Sequence, residues 1–146
     1  MDPHGLAGGA ADAARELAKS PFLGVIFEGF VASEVVKAQT NAGRRRELYY
    51  FRDQQGLEVD FLVPGPSGTM ALVECKATRT VVPGMAASLI RLAEAMKSRR
   101  GRRAMPRAFL VHGSSRTASG VSTVAEGVRA LPWKEFLQVL RGSVLS

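Results

Sequence analysis

Residues Leu57–Thr78 read LEVDFLVPGPSGTMALVECKAT. Two apolar runs flank a Gly/Pro turn, and both carry charges inside them: Glu58 and Asp60 in the first, Glu74 and Lys76 in the second. Side chains alternate faces along a strand, so Glu58, Asp60 and Leu62 should share one face, and Met70, Leu72, Glu74 and Lys76 one face of the next strand. The opposite positions are apolar too: Val59, Phe61 and Val63, then Ala71, Val73 and Cys75. A sheet with this pattern is covered on both sides, which assigns the charges to a covered face. A charge buried there is costly unless it is paired or holds a cation. The competing reading places Glu58 and Asp60 on the solvated face of a hairpin, with Glu74 and Lys76 as a surface pair.

Outward from this stretch, ELYYFRD (47–53) precedes the short link Gln54-Gln55-Gly56, so three consecutive antiparallel strands are expected. Before them, SPFLGVIFEGFVASEVVKAQTNAG predicts a helix with Ser20 as N-cap and Pro21 at its first position, stopping at Asn41-Ala42-Gly43. Its apolar residues leave no wide polar face, which predicts a buried helix. A second helix is expected over Pro83–Ser98, where Met85, Leu89, Leu92 and Met96 recur at helical spacing. A short buried strand, RAFLVHG, a polar loop over Ser114–Gly120, a last strand EGVRALP and a closing helix WKEFLQVL follow. Trp133, Phe136, Leu137 and Leu140 are expected to face inward. Residues 1–19 read as a flexible leader with a short helix, and residues 20–146 as one domain.

The bounds agree. A chain of 146 residues with 46% apolar content can bury a core without staples. Its single cysteine, Cys75, excludes an internal disulfide framework and a cysteine-rich zinc site. No apolar run approaches the ~20 residues that span a bilayer, and the first residues do not read as a secretory signal. A cytoplasmic protein with no membrane partner is expected. The net charge of +7 is concentrated: Lys97–Arg107, KSRRGRRAMPR, holds six positive charges and no negative ones. Arg44, Arg45 and Arg46 form a second cluster. Such clusters can neutralise phosphates, although charge runs are also common on solvated surfaces.

Hard carboxylate oxygens beside a lysine suit Mg2+ or Mn2+ together with a phosphate ester. The carboxylates hold the ion, and the lysine positions a water or stabilises developing charge. Glu28 is a further candidate, because it lies on the helical stripe of Gly24, Val31 and Val35.

In order, a helix with Glu28, a hairpin with Val59-Asp60 and a strand ending Glu74-Cys75-Lys76 resemble the PD-(D/E)XK nuclease superfamily. More narrowly, FEGFVASEVVK, LYYFRDQQGLEVDFLV, ALVECKAT and LPWKEFL together resemble the uncharacterised nuclease-like domain, domain of unknown function 4143, that follows AAA-type ATPase modules in prokaryotes. The resemblance implies a restriction-endonuclease-like αβββαβ core with a mixed central sheet flanked by helices. It implies Asp60 and Glu74 as metal ligands, the Cys75 backbone carbonyl as another, Lys76 as the catalytic lysine and Glu28 as the carboxylate completing the site. Glu58, by its parity with Asp60, is placed to reach the same pocket. Val59 stands where the superfamily motif has proline.

No phosphate-binding G-x-x-x-x-G-K-[ST] loop occurs, so ATP hydrolysis is not assigned to these residues. The chain reads as the end part of a longer ATPase protein or a free-standing relative, with an ATPase module in cis or trans as a partner. Two functions follow. One is an Mg2+- or Mn2+-dependent deoxyribonuclease, with DNA contacted by Arg44, Arg45, Arg46, Arg99, Arg100, Arg102 and Arg103. The other is a degenerate nuclease fold acting as a DNA-binding or regulatory module. RNA binding and homo-oligomerisation are compatible with both. Among the remaining residues, Cys75 reads as a small core residue, His112 as structural or exposed, and Trp133 as a packing anchor. Tyr49 and Tyr50 read as core packing, with base stacking as the functional alternative for one of them. Glu34 and Lys37 read as a local ion pair.

Overall fold

A computed structural model describes residues 20–78, 80–100, 105–113 and 122–146, with isolated helical positions between 9 and 19. The leader assigned to residues 1–19 and the loop assigned to Ser114–Gly120 therefore lie largely or wholly outside the described residues.

The described elements, in order, are α1 (Leu23–Asn41), β1 (Tyr49–Arg52), β2 (Glu58–Pro64), β3 (Met70–Lys76), α2 (Ala87–Arg100), β4 (Arg107–His112), β5 (Ser122–Ala125), β6 (Val128–Pro132) and α3 (Trp133–Val139). They form one six-stranded mixed sheet of order β1-β2-β3-β4-β6-β5. The first three strands are antiparallel neighbours, as the short links predict. β4 then runs parallel to both β3 and β6.

Sequence dictates the turns. In the β1–β2 link, Asp53 Oδ1 accepts from the amides of Gln55 (2.9 Å) and Leu57 (2.8 Å). Gly56 supplies the left-handed backbone there, at φ +83°. The β2–β3 link is a short 3-10 turn, Pro66–Gly68. Gly65 precedes it, and a Cβ at that position would meet the Val144 carbonyl at 2.7 Å and the Thr69 hydroxyl. The turn is thereby packed on the C-terminal segment.

Two cores lie on opposite faces of the sheet. On one, Val31, Val35 and Ala38 of α1 and Phe136 and Leu137 of α3 pack on Phe61, Val73, Phe109 and Val111. On the other, Leu89 and Leu92 of α2 pack on Val59, Leu72, Leu110 and Ala130. A T-shaped contact between Phe30 and Trp133, 4.9 Å between centroids, ties α1 to α3. Gln39, buried at the end of α1, donates to the Glu47 carbonyl (2.7 Å) and accepts from its amide (3.2 Å). This clasp fixes where the chain enters β1.

Several expectations change. α1 begins at Leu23 rather than Pro21, although the Ser20 hydroxyl still accepts from the Phe22 amide at 3.2 Å. α1 is also not buried: Phe22 (68% exposed), Val25 (67%) and Ile26 (53%) face outward, and only Val31, Val35, Ala38 and Gln39 are fully covered. A helix apolar all round lacks the asymmetry that would orient it, and here the sheet takes one side alone. The second helix opens with a 3-10 turn, Pro83–Ala86, before α2. Finally, the last strand belongs to a hairpin, because β5 pairs antiparallel with β6.

Candidate active site

The site forms where β2 and β3 part. Their ladder runs from Pro64↔Met70 to Phe61↔Val73. One step further the Cys75 amide donates not to a β2 carbonyl but to Asp60 Oδ2, at 2.8 Å. An amide in a ladder points in the plane of the sheet, so the Asp60 carboxylate sits between the strands rather than on a face.

A bulge brings it there. Phe51 pairs with Val59 and Arg52 with Glu58, yet Tyr49 pairs with Leu62, so Tyr50 opposes two residues, Asp60 and Phe61. An extra residue breaks the two-residue alternation and re-aims the side chains on either side. Val59 accordingly packs on the α2 face and Phe61 on the α1 face.

This corrects the single shared face expected for the four charges. Glu58 lies beyond the bulge, half exposed, in an ion pair with Arg52 at 3.1 Å. Glu74 and Lys76 alternate with Leu72 and register with Leu110 and His112, which puts them on the α2 face. From the α1 side comes Glu28, half-buried, its pKa raised by burial and by the Asp60 charge. Asp60 thus stands between Glu28 on one face and Glu74 on the other.

Glu74 is the most constrained member. It is 9% exposed, and its Oε2 is buried with no hydrogen-bond partner among the described residues. Its pKa is pushed up to about 8 by burial first and then by Asp60, with Lys76 pulling the other way. Lys76 Nζ stands 3.8 Å from Glu74 Oε1, too long for a tight pair. Burial also holds the Cys75 thiol well above the ordinary range, with the Asp60 charge adding to it, so it is a neutral, half-buried side chain packed on the α1 core. That agrees with the small-core-residue reading.

Among the described residues no group of three or more His, Cys, Asp or Glu side chains is spaced to hold a metal ion. The donors at hand are two carboxylates, Asp60 and Glu74, with the Cys75 backbone between them. Mg2+ commonly takes only one or two carboxylates and completes its shell with water and substrate phosphate. A buried, unpartnered oxygen on Glu74 fits such a cation.

Two further residues border the site, His112 and Tyr50. His112 is buried, adjacent to Lys76 in the register, with Nδ1 3.0 Å from the Gly113 carbonyl. Tyr50, 57% exposed, stands across from Asp60. Its hydroxyl pKa is raised by desolvation, then by the Glu58 carboxylate and more weakly by Asp60. Core packing, the expectation for both tyrosines, does not hold: Tyr49 is 52% exposed as well. Only the strand register exposes these relations.

The basic residues lie apart from this cluster in sequence and in element. Arg44 and Arg45 line a cavity of about 310 Å³ with Gln39, Glu47, Pro64 and Gly65, at the other end of β2 from Asp60. Arg45 reaches Glu47 only at 3.9 Å. Arg46 and Arg99 are exposed, Arg100 ends α2, and Arg102 and Arg103 lie outside the described residues. Glu34 and Lys37 form the expected pair at 2.9 Å.

A mixed sheet covered by helices on both faces, with carboxylates gathered where two strands separate, defines an α/β domain with its candidate site at strand ends. The family model of a domain of unknown function (DUF4143) matches residues 23–136, and the chain belongs to that family. No curated protein and no solved structure matches it. No helix among the described residues is long and apolar enough to cross a membrane.

Proposed function

We propose that this domain is a metal-dependent nuclease of the PD-(D/E)XK type, with a restriction-endonuclease-like core, that hydrolyses phosphodiester bonds in DNA. The observation that carries the reading is Glu74: a buried carboxylate with an unpartnered oxygen, beside Asp60 and 3.8 Å from Lys76. A structural ion pair would close the 3.8 Å gap between Lys76 and Oε1, and a structural hydrogen bond would satisfy Oε2. A site shaped for a cation leaves both open.

Asp60 and Glu74 would hold Mg2+ or Mn2+, with the Cys75 carbonyl as a further donor. When bound, the ion supplies Lewis-acid polarisation of the phosphate. Asp60 is held by the Cys75 amide, so its remaining oxygen is pre-oriented. Lys76 brings a positive charge to the same strand end, where it can orient a water or offset charge on the phosphoryl oxygens. Glu28 would border the site from α1. Arg44, Arg45, Arg46, Arg99, Arg100, Arg102 and Arg103 would contact DNA phosphates, and an AAA-type ATPase module in cis or trans would be the functional partner.

A second reading, a degenerate nuclease fold that binds DNA, is favoured by the raised pKa of Glu74, because a proton there can take the place of a cation. Cleavage of single-stranded, duplex and branched DNA separates the two. The nuclease cuts with Mg2+ or Mn2+ and stops with EDTA, and Asp60→Asn and Lys76→Met each lose at least about 100-fold. A folded wild type that leaves all three substrates intact establishes the second reading. Cleavage that persists in EDTA rules out the mechanism.

A further inference from the structure

Among the described residues strand β1 is an edge strand, with no strand paired on one side of its backbone. Phe51 packs toward α2, which turns Tyr50 and Arg52 to the opposite side of the strand. Arg52 is held by Glu58 at 3.1 Å. Tyr50 faces the Asp60–Phe61 bulge and leaves 57% of its surface open to solvent. An aromatic ring is thus presented at an open sheet edge, one cross-strand step from the carboxylate assigned to chemistry.

We propose that Tyr50 is a stacking platform for an unpaired nucleobase, and that the substrate is single-stranded DNA at the point of reaction. This rests on the nuclease reading of the Asp60–Glu74 site. Electrostatics and shape both favour a base over a phosphate here. Glu58 and Asp60 stand beside the position and repel phosphates, so a nucleotide approaching it gains little from its backbone until a cation is bound. The face of a base is neutral and apolar, and a tyrosine ring stacks on it with little regard to sequence. In duplex DNA those faces are already stacked on one another, and a single exposed ring has nothing to receive.

The test is fluorescence anisotropy of a labelled oligothymidylate and of a hairpin duplex in EDTA, with wild type, Tyr50→Phe and Tyr50→Ala. Tyr50→Ala should weaken the single strand roughly 10-fold, the scale of one stacked base, and leave the duplex unchanged. Tyr50→Phe should behave as wild type. An abasic nucleotide moved along the strand should find one position where the wild type loses that same factor and Tyr50→Ala loses nothing. Because the side chain is exposed, thermal melting of Tyr50→Ala should match wild type. Wild type that does not bind the single strand, or Tyr50→Ala that binds it equally well, overturns the proposal. If the Tyr50 dependence holds but no metal-dependent cleavage is seen, the platform stands and the nuclease reading fails. If metal-dependent cleavage is seen while Tyr50→Ala keeps full affinity, the nuclease reading stands and the platform fails.

Discussion

Glu74 concentrates the chemistry of this domain in one side chain. Its pKa, near 4.5 in the unfolded chain, rises to about 8 in the fold because burial and Asp60 both disfavour the anion. Between those values the folded state retains a proton that the unfolded state has released. The contribution of this group to stability is therefore full below about pH 4.5 and is lost as pH rises toward 8. In metal-free buffer the melting temperature of the wild type should fall across this range, while Glu74→Gln stays nearly flat. At pH above 8 the variant should melt roughly 3 °C higher, the scale of about 1 kcal/mol in a domain of this size. Parallel pH profiles of the two proteins, followed by differential scanning fluorimetry, would show that Glu74 is not strained by burial. Gln39 makes the contrasting case of a buried polar group that is satisfied at both ends. Gln39→Ala leaves the Glu47 amide and carbonyl without their partner and should cost about 2 kcal/mol, read from urea unfolding.

At the scale of elements, the bulge in β2 and the one-sided packing of α1 decide where the site lies. Neither is visible in the sequence, for different reasons. The strands around Leu57–Thr78 are legible, because β-branched and apolar residues alternate and GPSG marks the turn. The inserted residue is not, since Val59, Asp60 and Phe61 keep alternating polarity through a break in alternating direction. Parity therefore groups Glu58 with Asp60, where the register separates them. In α1 apolar residues surround the helix, and no periodicity says which of them the sheet will cover. Short β5 escapes notice because four residues, STVA, carry too little pattern to announce a strand. The exposed side of α1 predicts a sharp contrast in urea unfolding. Val35→Ala, at a fully buried position, should cost about 2 kcal/mol. Val25→Thr, on the open side, should change stability by less than about 0.5 kcal/mol. Equal costs at the two positions would mean that α1 is covered on both sides in solution.

For the whole molecule, the order of helix, hairpin and E-x-K strand is legible from the chain alone, because each block has its own periodicity and the links are short. Convergence is legible only through the family resemblance, not from periodicity or spacing: Glu28, Asp60 and Glu74 come from three elements, and in the fold they stand close because β2 and β3 separate at Asp60. The nuclease reading of the domain depends on this meeting point being a cation site. Titration calorimetry of Mn2+ into wild type, Asp60→Asn, Glu74→Gln and Glu58→Gln tests it without requiring a substrate. Saturable binding is expected in wild type and in Glu58→Gln, with its loss in Asp60→Asn and Glu74→Gln. Absence of binding in the wild type, or binding that survives both Asp60→Asn and Glu74→Gln, would contradict it.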